Sequence, residues 1–378
     1  KNLPDNFRIR IDPNGNVSCY LACTANQRKK ASVVSEEYQQ AIEWRYSPEV
    51  EQEVQWQINR IKGNTNQGPS DETPKQQKTI IVNNLMTNTD DPLGLGVRGW
   101  LLKILSLTGC SEGVTQDRRS RVMKDAINDL KNQADQADQA DLPKFEYVQT
   151  QVSGNNYGNH IGLSDHKLDA NRIKEIIGIF EAKLKELEDK NESEKITHMI
   201  QELKKINNKP TITKSVLAHV TPLAIAVTIG VTAFALTNPV GSAAVGVLIG
   251  CTLVTIIGNI IGKAIVGHSA KDRFLMSGYI DAISSKLPNV ECWSSCKSGQ
   301  DRTAAHETVT EGILKAYDMG DIHKTPNDKD SEENLNRYIQ NVYNHKKTTG
   351  AISKAATYVK IRLSKTFGGG IENNIRKA

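Results

Sequence analysis

Two periods run through the apolar positions of this chain, and they place most of its expected elements. Val50, Val54, Ile58 and Ile61 recur at helical spacing, and residues 32–62 read as helix. After a polar loop over residues 63–77, the unbroken apolar run Thr79-Ile80-Ile81-Val82 predicts a buried strand. Residues 117–131 read as a charged amphipathic helix. Three copies of Gln-Ala-Asp follow, over residues 133–141; a period of three matches no helical face, so they predict a solvated helix extension or a linker. Residues 145–152 alternate like a strand. Residues 171–207 supply one long helix or two shorter ones, with Ile173, Ile176, Ile177, Phe180, Leu184 and Leu187 on one stripe and Ile196, Met199, Ile200 and Leu203 on the next. Residues 268–287 form a further amphipathic helix. Val290-Glu291-Cys292-Trp293-Ser294-Ser295 then reads as a short strand, and residues 302–318 as a helix with Ala305, Val309, Ile313, Ala316 and Tyr317 on one face. The first 30 residues are polar and turn-rich.

One segment shows neither period. Residues 215–262, 48 in all, contain no Asp, Glu, Lys or Arg. Residues 216–236 would span roughly 31 Å as a helix, close to the ~30 Å of bilayer hydrocarbon. Thr237-Asn238-Pro239 breaks the run, and a second apolar stretch covers residues 240–261. The pattern predicts a transmembrane helical hairpin, with Gly246-x3-Gly250 and Gly258-x3-Gly262 available for close helix contact. Lys204, Lys205, Lys209 and Lys214 before it, and Lys263, Lys271 and Arg273 after it, would put both soluble portions on the cytoplasmic side. A hairpin buried in a large soluble core is the alternative, and 48 uncharged residues exceed what a domain of this size needs. The expected organisation is thus residues 1–210 as a mixed α/β portion, 215–266 as the membrane hairpin, and 267–378 as a second soluble region with a basic tail.

Composition narrows the picture only in places. A length of 378 residues suits about two domains. The net charge of +5 is unevenly spread: from Leu335 onward nine Lys/Arg face Glu372 alone. Such a tail would favour an anionic surface, or would simply be solvated. Six Cys make no disulfide framework. On an extended strand Cys292 and Cys296 would lie roughly 13 Å apart, too far to bridge. Cys19-x3-Cys23 lacks the second ligand pair of a zinc site. Gly94-Leu95-Gly96-Val97-Arg98-Gly99 satisfies G-x-G-x-x-G, but Pro92 separates it from the preceding strand, and a Gly-rich turn explains it better than a nucleotide site. The chain starts at Lys1 with no apolar signal region, as a cytosolic-type protein or a piece of a longer one would.

The chemistry concentrates in Cys296-Lys297-Ser298-Gly299-Gln300-Asp301-Arg302-Thr303. A strand, a tight loop and a helix N-terminus aim backbone N–H groups and the positive end of the helix dipole at one point, which suits an anion. A Cys at the head of such a loop, beside a cation, becomes a thiolate nucleophile. An Arg after five intervening residues can grip two phosphoryl oxygens with its fork.

This octet resembles the signature of the phosphoinositide phosphatases of the SopB/IpgD and SidF type, which are bacterial effectors, and of the eukaryotic inositol polyphosphate 4-phosphatases. It covers eight residues and departs at Gln300, where the family usually has a Lys that contacts substrate phosphates. Ser295 stands where tyrosine phosphatases commonly have His. The resemblance implies an α/β (α+β) Cys-x5-Arg phosphatase-like core, into which the hairpin would be inserted, and a phosphoinositide substrate on a membrane face rather than nucleic acid. By the same resemblance Cys296 would attack phosphorus, Arg302 would hold the equatorial oxygens, and Lys297, Ser298, Gly299, Gln300 and Thr303 would line the substrate. Thr303 would also assist the thiolate as leaving group. Asp301 is the nearest general acid, with Asp165, Asp318 and Asp321 as alternatives; His160, Asp165 and His166 sit in or beside a turn-rich segment that suits an active-site loop. The chemistry needs no metal or organic cofactor. Two other functions fit the same residues: a binding protein that captures a phosphoinositide without hydrolysing it, and a protein phosphatase.

Overall fold

The structure, a computed structural model, describes residues 3–12, 15–22, 30–63, 77–86, 112–136, 143–150, 152, 170–208, 270–296, 298–320 and 329–350. Five strands make one sheet: β1 (Arg8–Ile11), β2 (Val17–Ala22), β3 (Thr79–Asn84), β4 (Lys144–Gln149) and β5 (Val290–Cys296). Their order is β1-β2-β5-β3-β4, with β1 antiparallel to β2 and every other neighbouring pair parallel. Strands from both ends of the chain therefore share one sheet, and β5, though last in sequence, lies at its centre. The register sets Ala22 opposite Cys296 and Asn84 opposite Ser295, so the parallel strands end along a common edge.

Helices cover both faces, as a parallel sheet requires. On one face α1 (Ala31–Arg45) and α3 (Glu112–Gln136) enclose Leu21, Ile80, Val82, Phe145, Tyr147 and Trp293. On the other, α4 (Ala170–Leu184), α5 (Lys190–Asn207), α6 (Ala270–Lys286), α7 (Asp301–Asp318) and α8 (Lys329–Thr348) bury Ile81, Leu85, Val148 and Cys292. Ile80 and Ile81 thus serve opposite faces, which is why β3 reads as a continuous apolar run and not as an alternation. The stripe on α7 packs inward as its period predicts, with Ala305, Val309, Ile313, Ala316 and Tyr317 all buried. Beside it, Gly312 admits α8 so closely that a Cβ there would lie 2.5 Å from Ile339.

Several expectations are corrected. The stretch read as polar and turn-rich holds the β1–β2 hairpin, and β2 is buried along most of its length. Residues 32–62 form two helices, α1 and α2 (Pro48–Ile61), because Pro48 lacks an N–H to continue the first ladder and is well placed at the start of a new one. Of the two readings of residues 171–207, the structure has the two shorter helices; the second begins where the Asp189 carboxylate accepts from the N–H groups of Asn191 and Glu192. Part of the region read as a basic C-terminal tail is helix. Lys346 lies on α8 with its side chain 8% exposed, 3.2 Å from both Glu307 and Glu311.

The largest correction concerns the membrane. Among the described residues no helix is long and apolar enough to cross a bilayer. The fold is accordingly a mixed α/β protein with a five-stranded sheet, and the inserted transmembrane hairpin, with the membrane localisation drawn from it, does not stand. The two expected spans, residues 216–236 and 240–261, lie outside the described residues. So do the Gly-rich segment at 94–99, the loop with His160, Asp165 and His166, and the residues beyond 350.

Candidate active site

The sheet brings the octet to the place where ligands of parallel α/β sheets bind, outside the carboxyl ends of the strands. Cys296 is the last residue of the central strand, flanked by the ends of β2 and β3. Its side chain is buried, and Sγ lies 3.0 Å from the Thr303 hydroxyl in the first turn of α7. Arg302, also buried, occupies that same turn. Residues at the two ends of the octet thus meet across the loop, Cys296 with the hydroxyl of Thr303, and Arg302 is the neighbour of Thr303 in the same turn. Asp301 opens the helix, where a carboxylate is favoured by the dipole. Lys297 lies outside the described residues.

The loop owes its path to Gly299. This residue has φ +66, and a Cβ would meet the backbone of Ala22 at 2.9 Å and of Leu21 at 3.1 Å. Any side chain here would face both a strained left-handed conformation and a collision with the end of β2. Ser298 and Gln300 on either side are exposed. The Gln300 carbonyl accepts from Ala304 N at 2.8 Å and so begins the helix. Among the described residues, the N–H groups of Ser298, Gly299 and Gln300 donate to no backbone carbonyl.

Two residues that sequence reasoning passed over hold the loop from outside. Asn6 Nδ2 donates to the Ser298 carbonyl at 2.7 Å, and Arg8 Nη1 donates to the Gly299 carbonyl at 2.8 Å. Arg8 Nη2 also reaches Glu307 at 3.1 Å, which ties the N-terminal segment to α7. Burial alone would raise the Glu307 carboxyl, but Lys346, Arg10 and Arg8 together bring it down to about 2. Glu307 therefore remains a charged anchor for Arg8.

Behind the loop lies a fully buried polar cluster centred on His306 and Asp281. His306 Nδ1 is 2.8 Å from the Ser277 hydroxyl, and Nε2 is 2.9 Å from both Asp281 Oδ2 and the Ser294 hydroxyl. Asn83 Nδ2 donates to Ser277, and the Asp281 carboxylate, an acceptor only, takes a proton from Nε2 of the ring. Asp281 also accepts from Ser18 at 2.8 Å, Tyr20 at 3.0 Å and Thr310 at 3.3 Å. Burial, and next the Asp281 carboxylate, push the Tyr20 hydroxyl well above its ordinary range, which keeps it a donor. This cluster locks β5, α6 and α7 together two residues before Cys296. His306 carried one usable signal, a histidine beside the apolar stripe of a helix that leaves a candidate active loop.

The acid candidates separate. Asp318 is bound by Lys286 Nζ at 2.7 Å, and Lys286 also meets Glu192. At the far end of α7 Asp318 lies about 25 Å along the helix from Asp301, which removes it from the chemistry. Asp301 alone of the acids named from the sequence is described at the loop; Asp165 and Asp321 lie outside the described residues. Among the described residues no cluster of His, Cys, Asp or Glu has the arrangement of a metal site. Burial pushes the thiols of Cys19 and Cys292 well above the ordinary range, so neither is a nucleophile. No family model, curated protein or solved structure matches this chain.

Proposed function

We propose that this chain is a cysteine-dependent phosphoric monoester hydrolase that acts on phosphoinositide headgroups. The observation that carries the reading is the meeting of Cys296 Sγ with Thr303 Oγ1 at 3.0 Å, with Arg302 in the same helical turn, at the carboxyl end of the central strand. The choice of headgroup rests on the resemblance of Cys-Lys-Ser-Gly-x-Asp-Arg-Thr to the phosphoinositide phosphatase signature.

The steps follow from the residues. The Cys296 thiolate attacks phosphorus as the bond from phosphorus to the ring oxygen breaks, and Asp301 gives the departing alkoxide its proton. Arg302 and the loop N–H groups hold the three non-bridging oxygens, whose charge grows toward the transition state. Water then attacks the cysteinyl phosphate, Asp301 takes its proton, and the sulfur leaves as a thiolate that the Thr303 hydroxyl stabilises by donating to it.

The test is turnover by the purified full-length chain on a panel of phosphoinositides in mixed micelles and on their soluble inositol phosphate headgroups, with phosphopeptides as controls. Phosphate release from the inositol series, lost in Cys296→Ser while headgroup binding persists, is the expected result. Release from phosphopeptides alone would replace the lipid reading with a protein phosphatase. Headgroup binding with no release from any substrate would leave a capture protein.

A further inference from the structure

We propose that Asn6 and Arg8 are positioning residues of the anion cradle, which set the direction of its backbone donors from outside the loop. The inference rests on the anion-binding reading of residues 296–303. In a trans peptide the N–H and C=O groups point in opposite directions, and this chain has no cis peptide among its described residues. Asn6 fixes the carbonyl of Ser298 and Arg8 fixes that of Gly299. Each bond therefore turns the N–H of the next residue away from the N-terminal segment. For Gly299 and Gln300 that side is where a phosphoryl group on Cys296 would sit.

The clamp is built and not incidental. Asn6 itself has φ +55, a left-handed conformation that Asn tolerates better than most residues, and Asp5 accepts from Ala22 N at 2.8 Å. Those features dock the turn at residues 4–7 onto the end of β2, where Gly299 also rests. Arg8 is held in place by Glu307 and by the Tyr20 ring, whose centroid is 5.1 Å from its guanidinium carbon. An Arg aimed at a carbonyl with one nitrogen and at a carboxylate with the other cannot swing away without breaking both contacts. The loop has no proline, and the clamp holds the carbonyls of two of its peptide planes; a flip of either plane would present a carbonyl oxygen to an anion.

The prediction is a loss of anion affinity without a loss of stability. Equilibrium dialysis of radiolabelled inorganic phosphate against the full-length chain gives the reference, and Arg302→Ala identifies the binding that belongs to this loop. Asn6→Gly keeps the left-handed backbone and removes the donor; it should weaken Arg302-dependent phosphate binding about five- to tenfold at an unchanged melting temperature. Arg8→Met should weaken it comparably, and Arg8→Lys, which keeps one donor, should recover part of the loss. Because Asn6 is exposed, its variant tests the idea even if Arg8→Met fails to fold. Arg302-dependent binding that is equal in Asn6→Gly and the unmodified chain would overturn the clamp while leaving the site intact. No Arg302-dependent binding in the unmodified chain would overturn the site and the clamp together.

Discussion

The two ends of strand β5 differ sharply. Its amino half lies in an apolar, aromatic setting: Trp293 packs against Phe7 and stacks on Tyr38, and the one charge, on Glu291, is met by Arg45 at 2.6 Å. Its carboxyl half is Ser294, Ser295 and Cys296, facing hydroxyls, an imidazole and the start of a helix. Two thiols on the same strand consequently have different fates. Cys292 is enclosed and held in its thiol form, whereas Cys296 stands at the strand's end with a hydroxyl at 3.0 Å and the loop into α7 beside it. The amino half holds the sheet together, and the carboxyl half carries the residues of the proposed chemistry.

Substitutions should divide along that line. Cys296→Ser should lower phosphate release by at least about a thousandfold with little change in melting temperature. Cys292→Ala should do the reverse, leaving kcat near that of the unmodified chain; equal losses of turnover from both would erase the distinction. At the other end, Glu291→Ala leaves the buried Arg45 short of its main partner and should cost about 3 kcal/mol in denaturant unfolding. Phosphate affinity of the surviving folded protein should hold, and a fall in it would show that the amino half also shapes the loop.

Acid should weaken the tie between the N-terminal segment and α7. The Glu307 carboxyl is depressed from an ordinary 4.5 to about 2, so its contribution is present above about 4.5 and is lost as pH falls toward 2. That contribution is on the order of 3 kcal/mol. Lys346→Met removes the first of the cations responsible and should flatten the profile across this window; an unchanged slope would place the acid sensitivity elsewhere. The smallest effect belongs to Gln300. Gln300→Lys adds charge at an exposed loop position and should raise affinity for multiply phosphorylated headgroups about fivefold, or about 1 kcal/mol. An unaltered substrate profile would mean that this side chain does not face the ring.

Local pattern made much of this molecule legible. The run at Ile80–Val82, the stripes on α4, α5 and α7, and the strand-loop-helix around Cys296 each depend on neighbours within a few residues, and for such elements spacing and burial coincide. The contact of Cys296 with Thr303 is local for the same reason, since one short loop joins the strand to the helix. Hydropathy was a poorer guide to residues 215–262. The hairpin expected there lies outside the described residues, and no described helix is long and apolar enough to cross a bilayer.

What only the tertiary structure decided lies at long range. Nothing in a polar N-terminus marks Asn6 and Arg8 as partners of carbonyls 292 and 291 residues away, because one donor and one acceptor leave no periodic trace. His306 and Asp281 become a cluster only when β2, β5, α6 and α7 converge and exclude water, which makes hydrogen bonding among their polar groups obligatory. The sequence by itself determined which faces of its helices and strands turn inward and where the candidate loop falls in the chain. The sheet decided where that loop stands, since only the insertion of β5 between β2 and β3 puts Cys296 at the common edge of the parallel strands, within reach of the segment that braces its loop.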